Sequence, residues 1–144
     1  MGVHNLAGLM RDTNRSAEAE PLMRRALGIW EARFGPDHRH VATGISSLAL
    51  LLQATNRRGE AEPLMRRALT IDEKSFGPEH PRVAIRLSNL AHLLQATNRL
   101  AAAESLMRRA LAIFEASLGA DHPSTRRARD NLEALETEMR GGGA

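Results

Sequence analysis

The chain has no cysteine and no tyrosine, and its 144 residues include only one tryptophan and three phenylalanines. The lack of cysteine excludes disulfides, thiolate zinc sites and cysteine nucleophiles, and is neutral about compartment. With so few aromatics the core must be built from Leu, Ala, Ile, Val and Met, which are good or acceptable helix formers. No stretch approaches the roughly 18–20 uninterrupted apolar residues of a membrane span. The N-terminus lacks the basic segment and apolar run of a secretory signal, so a cytoplasmic location is expected, with no membrane partner. Lysine is nearly absent: Lys74 stands alone among 20 basic residues, the rest being arginine, and the formal net charge is only +3. That balance gives a mild bias towards acidic partners and nothing stronger.

What the sequence does contain is repetition. Met23-Arg24-Arg25-Ala26-Leu27 recurs as Met65-Arg66-Arg67-Ala68-Leu69 and as Met107-Arg108-Arg109-Ala110-Leu111, offset by 42 residues each time. Gln53-Ala54-Thr55-Asn56-Arg57 recurs as Gln95-Ala96-Thr97-Asn98-Arg99. Gly35-Pro36-Asp37-His38 matches Gly77-Pro78-Glu79-His80 and Gly119-Ala120-Asp121-His122. A fixed period of this size is the signature of a stacked repeat architecture. Units of about 1–36, 37–78 and 79–120 are expected, then a capping helix over 123–140 and a Gly-rich tail at 141–144.

Each unit has the pattern of two helices. In the third, Val83, Leu87, Leu90, Ala91 and Leu94 recur at helical spacing, followed by Ala103, Leu106, Met107, Ala110, Ile113 and Phe114. Pro81 suits a first helical turn and Gly119 a helix stop. The pattern predicts seven helices: A1 (about 3–12), B1 (16–34), A2 (39–54), B2 (58–76), A3 (81–96), B3 (100–118) and a last one (123–140). Pro21 and Pro63 fall near the first turn of a B helix, where a slight bend is expected and not a break. The last helix places Arg129, Glu133 and Glu136 where the repeat has Leu87, Ala91 and Leu94, which predicts a solvating cap.

Charge follows the same period. Glu20 and Arg24, Glu62 and Arg66, and Glu104 and Arg108 are spaced i, i+4 with the acid first. This order stabilises a helix by roughly 0.2–0.5 kcal/mol per pair. The paired arginines are thus expected on a solvated helix face, so a basic nucleic-acid-binding surface is the least favoured reading. The lack of interleaved aromatics and of a dense basic stripe counts against it too.

The units resemble tetratricopeptide repeats, with small residues at the close packing points and larger apolar ones between. The slots are Leu87, Leu90, Ala91, Leu94, Ala103, Met107 and Ala110 in unit three, and Ile45, Leu48, Ala49, Leu52, Ala61, Met65 and Ala68 in unit two. Unit one fills them with Val3, Leu6, Ala7, Met10, Ala19, Met23 and Ala26. The 42-residue period and the Gly-Pro-Glu-His-Pro loop resemble the repeats of kinesin light chain and similar bacterial proteins. The resemblance implies an all-α right-handed superhelix of about three and a half repeats. It further implies a scaffold that binds a peptide or partner segment in a concave groove lined by A helices. By alignment the groove residues are Asn5 and Arg11 from A1, and Ser46, Ser47, Leu50 and Gln53 from A2. A3 supplies Ser88, Asn89, His92 and Gln95, and the last helix Arg127 and Asn131. Asn5, Asn89 and Asn131 match an asparagine that in kinesin light chains can hydrogen-bond a peptide backbone; Ser47 departs from it.

Other chemistry finds little support. His38, His80 and His122 recur at equivalent loop positions, but stacked helices lie roughly 10 Å apart, too far to share a metal bound at about 2 Å. Capping of the following helix is the expected role. No nucleophile signature, Gly-rich phosphate loop or HExxH motif is present, so neither an enzyme nor a cofactor is expected. The chain also enters its first repeat part-way along helix A. Two expectations follow: a piece of a larger bacterial signalling protein acting as a sensor, or a homo-oligomer formed through the truncated N-terminal edge. Trp30, whose equivalents are Asp72 and Phe114, is a candidate contact for the latter, with packing against a neighbouring A helix as the plainer role.

Overall fold

The computed structural model describes residues 16–142. Among them are six α-helices and no strand: α1 (Ser16–Phe34), α2 (Arg39–Ala54), α3 (Arg58–Phe76), α4 (Pro81–Ala96), α5 (Leu100–Leu118) and α6 (Pro123–Gly142). The expected helix A1 lies outside the described residues, and Asn5 and Arg11 with it. The other expected spans coincide with the observed helices, except that α6 runs on to Gly142. The fold class is all-α, built from helix-turn-helix units.

The loop chemistry explains the boundaries. Gly35, Gly77 and Gly119 all have φ near +90° (91°, 92° and 90°), a conformation closed to most side chains. Three residues on, a histidine caps the next helix. Nδ1 of His38 accepts from the His40 N–H (3.1 Å), Nδ1 of His80 from Arg82 (3.0 Å) and Nδ1 of His122 from Ser124 (3.0 Å). Each satisfies a backbone donor that the first turn leaves orphaned. The shorter turns use Asn56 and Asn98 at φ of 64° and 62°. Asparagine tolerates this left-handed region better than other non-glycine residues. Thr55 and Thr97 donate their hydroxyls to carbonyls three and four residues back, closing α2 and α4. Helices α1 and α3 run unbroken through Pro21 and Pro63.

The chain forms two compact units, residues 1–71 and 72–144. In the first, α1 packs on α2. Ala19, Ile45, Ala49, Leu52, Ala61 and Ala68 have no exposed surface. Burying each large apolar side chain contributes about 1.5–3 kcal/mol. In the second, α5 packs on both α4 and α6, around Leu87, Leu90, Leu94, Met107, Ile113 and Leu135. Surface charges pair as the sequence predicts: Arg24 with Glu20 at 2.9 Å, Arg66 with Glu62 at 3.0 Å and Arg108 with Glu104 at 3.1 Å. Arg57 joins the first pair by reaching both Glu20 and Glu60. Burial pushes the Glu20 carboxyl up, but the hydrogen bonds from Arg24 and Arg57 outweigh it and hold its pKa below the ordinary value.

One slot breaks the repetition in a coordinated way. A Cβ on Gly44 would lie 2.8 Å from Cζ3 of Trp30, so the indole takes the space a larger residue would need. Trp30 therefore packs against its neighbouring A helix. The equivalents of this couple in the next repeat are Asp72 and Arg86, whose Oδ2 and Nε are 2.7 Å apart with Asp72 fully buried. In the third they are Phe114 and Ala128, both buried. Large against glycine, acid against base, and large against alanine are three solutions to one contact. A buried charge left alone costs about 3–5 kcal/mol, whereas a well-packed apolar pair can replace an ion pair at little cost. Arg86→Ala is therefore expected to destabilise the fold by about 3–5 kcal/mol in urea unfolding. Asp72→Phe added to it, copying the Phe114–Ala128 couple, should recover most of the loss.

Thr125 is a second departure. It is fully buried where the earlier repeats have Val41 and Val83, also fully buried. No described residue hydrogen-bonds its hydroxyl. A buried unsatisfied hydroxyl costs on the order of 1–3 kcal/mol, and valine has nearly the same shape. Thr125→Val should raise the unfolding midpoint, by about 1 kcal/mol or more in free energy.

Candidate functional site

Helix α4 has two faces. Leu87, Leu90, Ala91 and Leu94 are spent on the core. Ile85, Ser88, Asn89 and His92, spaced i, i+3, i+4, i+7, fall on the other side. Helix α6 repeats this spacing with Ser124, Arg127, Ala128 and Asn131. These two stripes enclose a hollow of about 330 Å³, to which α5 contributes Phe114. The volume is at the lower end of the range for ligand sites. Phe114 and Ala128 supply apolar surface, being only 5% and 3% exposed.

The polar groups in the hollow are largely uncommitted. No described residue hydrogen-bonds the side-chain amides of Asn89 and Asn131, and none pairs with the exposed guanidinium of Arg127. An amide offers two donors and an acceptor, the complement of a peptide group. Ser88 is turned to the sulfur of Met107, 3.9 Å from its hydroxyl oxygen. His92 is exposed on α4, and partial desolvation by the surrounding protein holds its pKa below the ordinary value of 6.5.

The structure brings together Ser88, Asn89, His92, Arg127 and Asn131 of the residues expected to line a groove. Gln95 is committed elsewhere, donating from Nε2 to Oε1 of Glu138 at 2.7 Å and so tying α4 to α6. In the other unit Ser47, Leu50 and Gln53 are half-buried along α2, while Ser46 is only 5% exposed. The sequence reading missed Phe114, Ser124 and Ala128. Phe114 carried a core signal, and its place in the variable slot with Trp30 and Asp72 was the clue to a special environment.

The family model for the tetratricopeptide repeat matches residues 2–74, 41–116 and 87–140. The chain belongs to the tetratricopeptide repeat family. Its fold is similar to the nearly identical TPR-like repeats of a Podosopora anserina protein described as a kinesin light chain, at 25% identity and a TM-score of 0.85. That match covers 93% of this chain and 64% of the other, so the chain spans about two thirds of its relative. It is also similar to PcrH solved with the chaperone-binding region of PopD, at 17% identity and a TM-score of 0.70, covering 96% of this chain and 91% of that one. SycD of Yersinia enterocolitica, a type III secretion chaperone solved with a peptide of the translocator YopD, aligns at 19% identity with a TM-score of 0.68 over 96% of this chain and 92% of its own. No curated protein matches the chain in sequence. Among the described residues no helix is long and apolar enough to cross a membrane.

The depressed pKa of His92 has a consequence for this tetratricopeptide array. The unfolded chain takes up a proton there near pH 6.5, while the folded chain resists it until lower pH. Stability attributable to His92 is thus fully present above pH 6.5 and is lost as pH falls from there through the folded pKa. Unfolding of wild type and His92→Gln, compared between pH 7.5 and 5, should show the larger acid loss in wild type. Equal losses would exclude the effect.

Proposed function

We propose that the chain is a non-catalytic protein-interaction scaffold that holds an extended peptide or partner segment along its A-helix face. The observation that carries this reading is the pair of unpartnered amides, Asn89 and Asn131, sharing one hollow with the apolar surface of Phe114. Amides on successive A helices, α4 and α6, suit the alternating donors and acceptors of an extended main chain, and an apolar hollow suits one side chain. Arg127 adds a single positive charge at this end. By repeat equivalence Asn5, Arg11, Ser46, Ser47, Leu50 and Gln53 are the counterparts in the first repeats, and Gln95 follows His92 on α4. Similar folds solved with bound peptides support the reading.

A phosphate-binding surface is less well supported. Arg24, Arg57, Arg66, Arg67, Arg86, Arg108, Arg109 and Arg129 all stand within 4 Å of a carboxylate, so their charge is spent inside the protein. A peptide-library screen followed by fluorescence anisotropy tests the proposal. For the selected peptide, Asn89→Ala and Asn131→Ala should each weaken binding about tenfold, the equivalent of about 1.4 kcal/mol. Neither should lower the unfolding midpoint, since neither amide supports the fold. Undiminished binding in both variants would remove the groove from the account.

A further inference from the structure

The second arginine of the second and third Met-Arg-Arg motifs has a job beyond a solvated helix face. Nη2 of Arg67, on α3, lies 3.2 Å from Oε2 of Glu31 on α1 and donates to the Pro36 carbonyl at 3.1 Å. One repeat later, Nη2 of Arg109 lies 2.7 Å from Oε2 of Glu73 and donates to the Pro78 carbonyl at 3.4 Å. Helices α3 and α5 thus each clamp the carboxylate and loop carbonyl of the B helix before them. Carried forward by one period, the acceptors become Glu115 and the carbonyl of Ala120.

Those acceptors are already taken. Nη2 of Arg129 donates to the Ala120 carbonyl at 3.2 Å and stands 3.9 Å from Oε2 of Glu115. Arg129 comes from α6, an A-type helix, and not from a B helix. It occupies the position that Ile45 and Leu87 fill as fully buried core residues. Glu133 and Glu136 replace the buried Ala91 and Leu94 on the same stripe. A position that is buried core in α2 and α4 thus carries, in α6, an arginine that mimics the clamp of a B helix.

We propose that Arg129 is a built-in stop, standing in for the arginine of a further repeat and closing the α5–α6 face against B-type helices. Its partner of exclusion is a helix of the form Ala-Glu-x-Leu-Met-Arg-Arg-Ala-Leu, including those of a second copy of this chain. The stop works twice. It removes the apolar surface such a helix needs, and it fills the acceptors that would orient it. This is independent of the peptide groove, which uses the other side of α4 and α6.

The test uses the whole chain and a labelled peptide of residues 100–118, which carries the motif. Arg129→Leu/Glu133→Ala/Glu136→Leu restores the stripe of α4 on α6. Fluorescence anisotropy should show this variant binding the peptide at least tenfold more tightly than wild type. A peptide with Arg109→Ala should forfeit at least threefold of that gain. Arg129→Gln alone, which keeps the surface polar, should give a smaller gain that also depends on Arg109 of the peptide and weakens with salt. Circular dichroism establishes that each variant is folded. Should the triple variant fail to fold, Arg129→Gln decides the matter. Binding no tighter than wild type, or a gain indifferent to Arg109, overturns the proposal.

Discussion

Helices stacked at a fixed repeat must approach closely, and side-chain size at the crossing points sets how closely. In this chain Ala19, Ala49, Ala61, Ala68, Ala103 and Ala110 have no exposed surface at all. A larger residue at any of them would force two helices apart and shift every later contact, because interiors are packed at crystal-like density. The leucine and methionine positions can then fill the remaining space, and the loops need only join helices of fixed length. The His-capped and Asn-turned loops do this with one residue type per job, which is why the period stays at 42 residues without drift.

Near-identical units create a second problem, since any B helix could in principle dock on any A helix. Repeat proteins are prone to misassembly of this kind. The couples Trp30–Gly44, Asp72–Arg86 and Phe114–Ala128 give each junction a different chemistry at one contact. Trp30 facing Arg86 would desolvate a charge without a partner, and Asp72 facing Gly44 would bury one. Both mismatches cost more than the loss of a single apolar contact. The junction that carries the ion pair gives up apolar burial there and gains selectivity.

Much of this fold was legible in the sequence because helical spacing and turn residues are local signals. The spans of α1 to α5 follow from apolar periodicity, Gly35 and its equivalents, and the capping histidines. Coupled positions were not legible in the same way. Asp72 and Arg86 sit on different helices of different repeats, so neither residue shows its purpose until the helices are placed against each other. Arg129 was legible only as polarity, and polarity on a last helix is explained by solvation alone. Its real partners, Glu115 and the Ala120 carbonyl, are seen only when distances are compared with those of Arg67 and Arg109. Of the expected groove, Ser88, Asn89, His92, Arg127 and Asn131 converge, whereas Gln95 turns to Glu138, a partner 43 residues away in the chain.

The departures from repetition mark where function can reside. Positions that fix the stack hardly vary, as Met23, Met65 and Met107 illustrate. The stripe facing away from the core varies freely: Thr43, Ile85 and Arg127 are equivalent, as are Leu50, His92 and Ala134. A groove made of equivalent positions could present the same chemistry at every step, which would suit a repetitive ligand. Here Leu50 gives way to a histidine, Ile85 to an arginine and Ser47 to an asparagine, so each step differs from the last. For the proposed peptide-binding role such variation would discriminate by position, since a ligand shifted by one repeat would set its polar groups against an apolar side chain and leave them unpaired. In that proposal specificity would come from the penalty on wrong registers as much as from contacts in the right one, and the close helix packing set by the buried alanines within each unit would keep the side chains from shifting to relieve it.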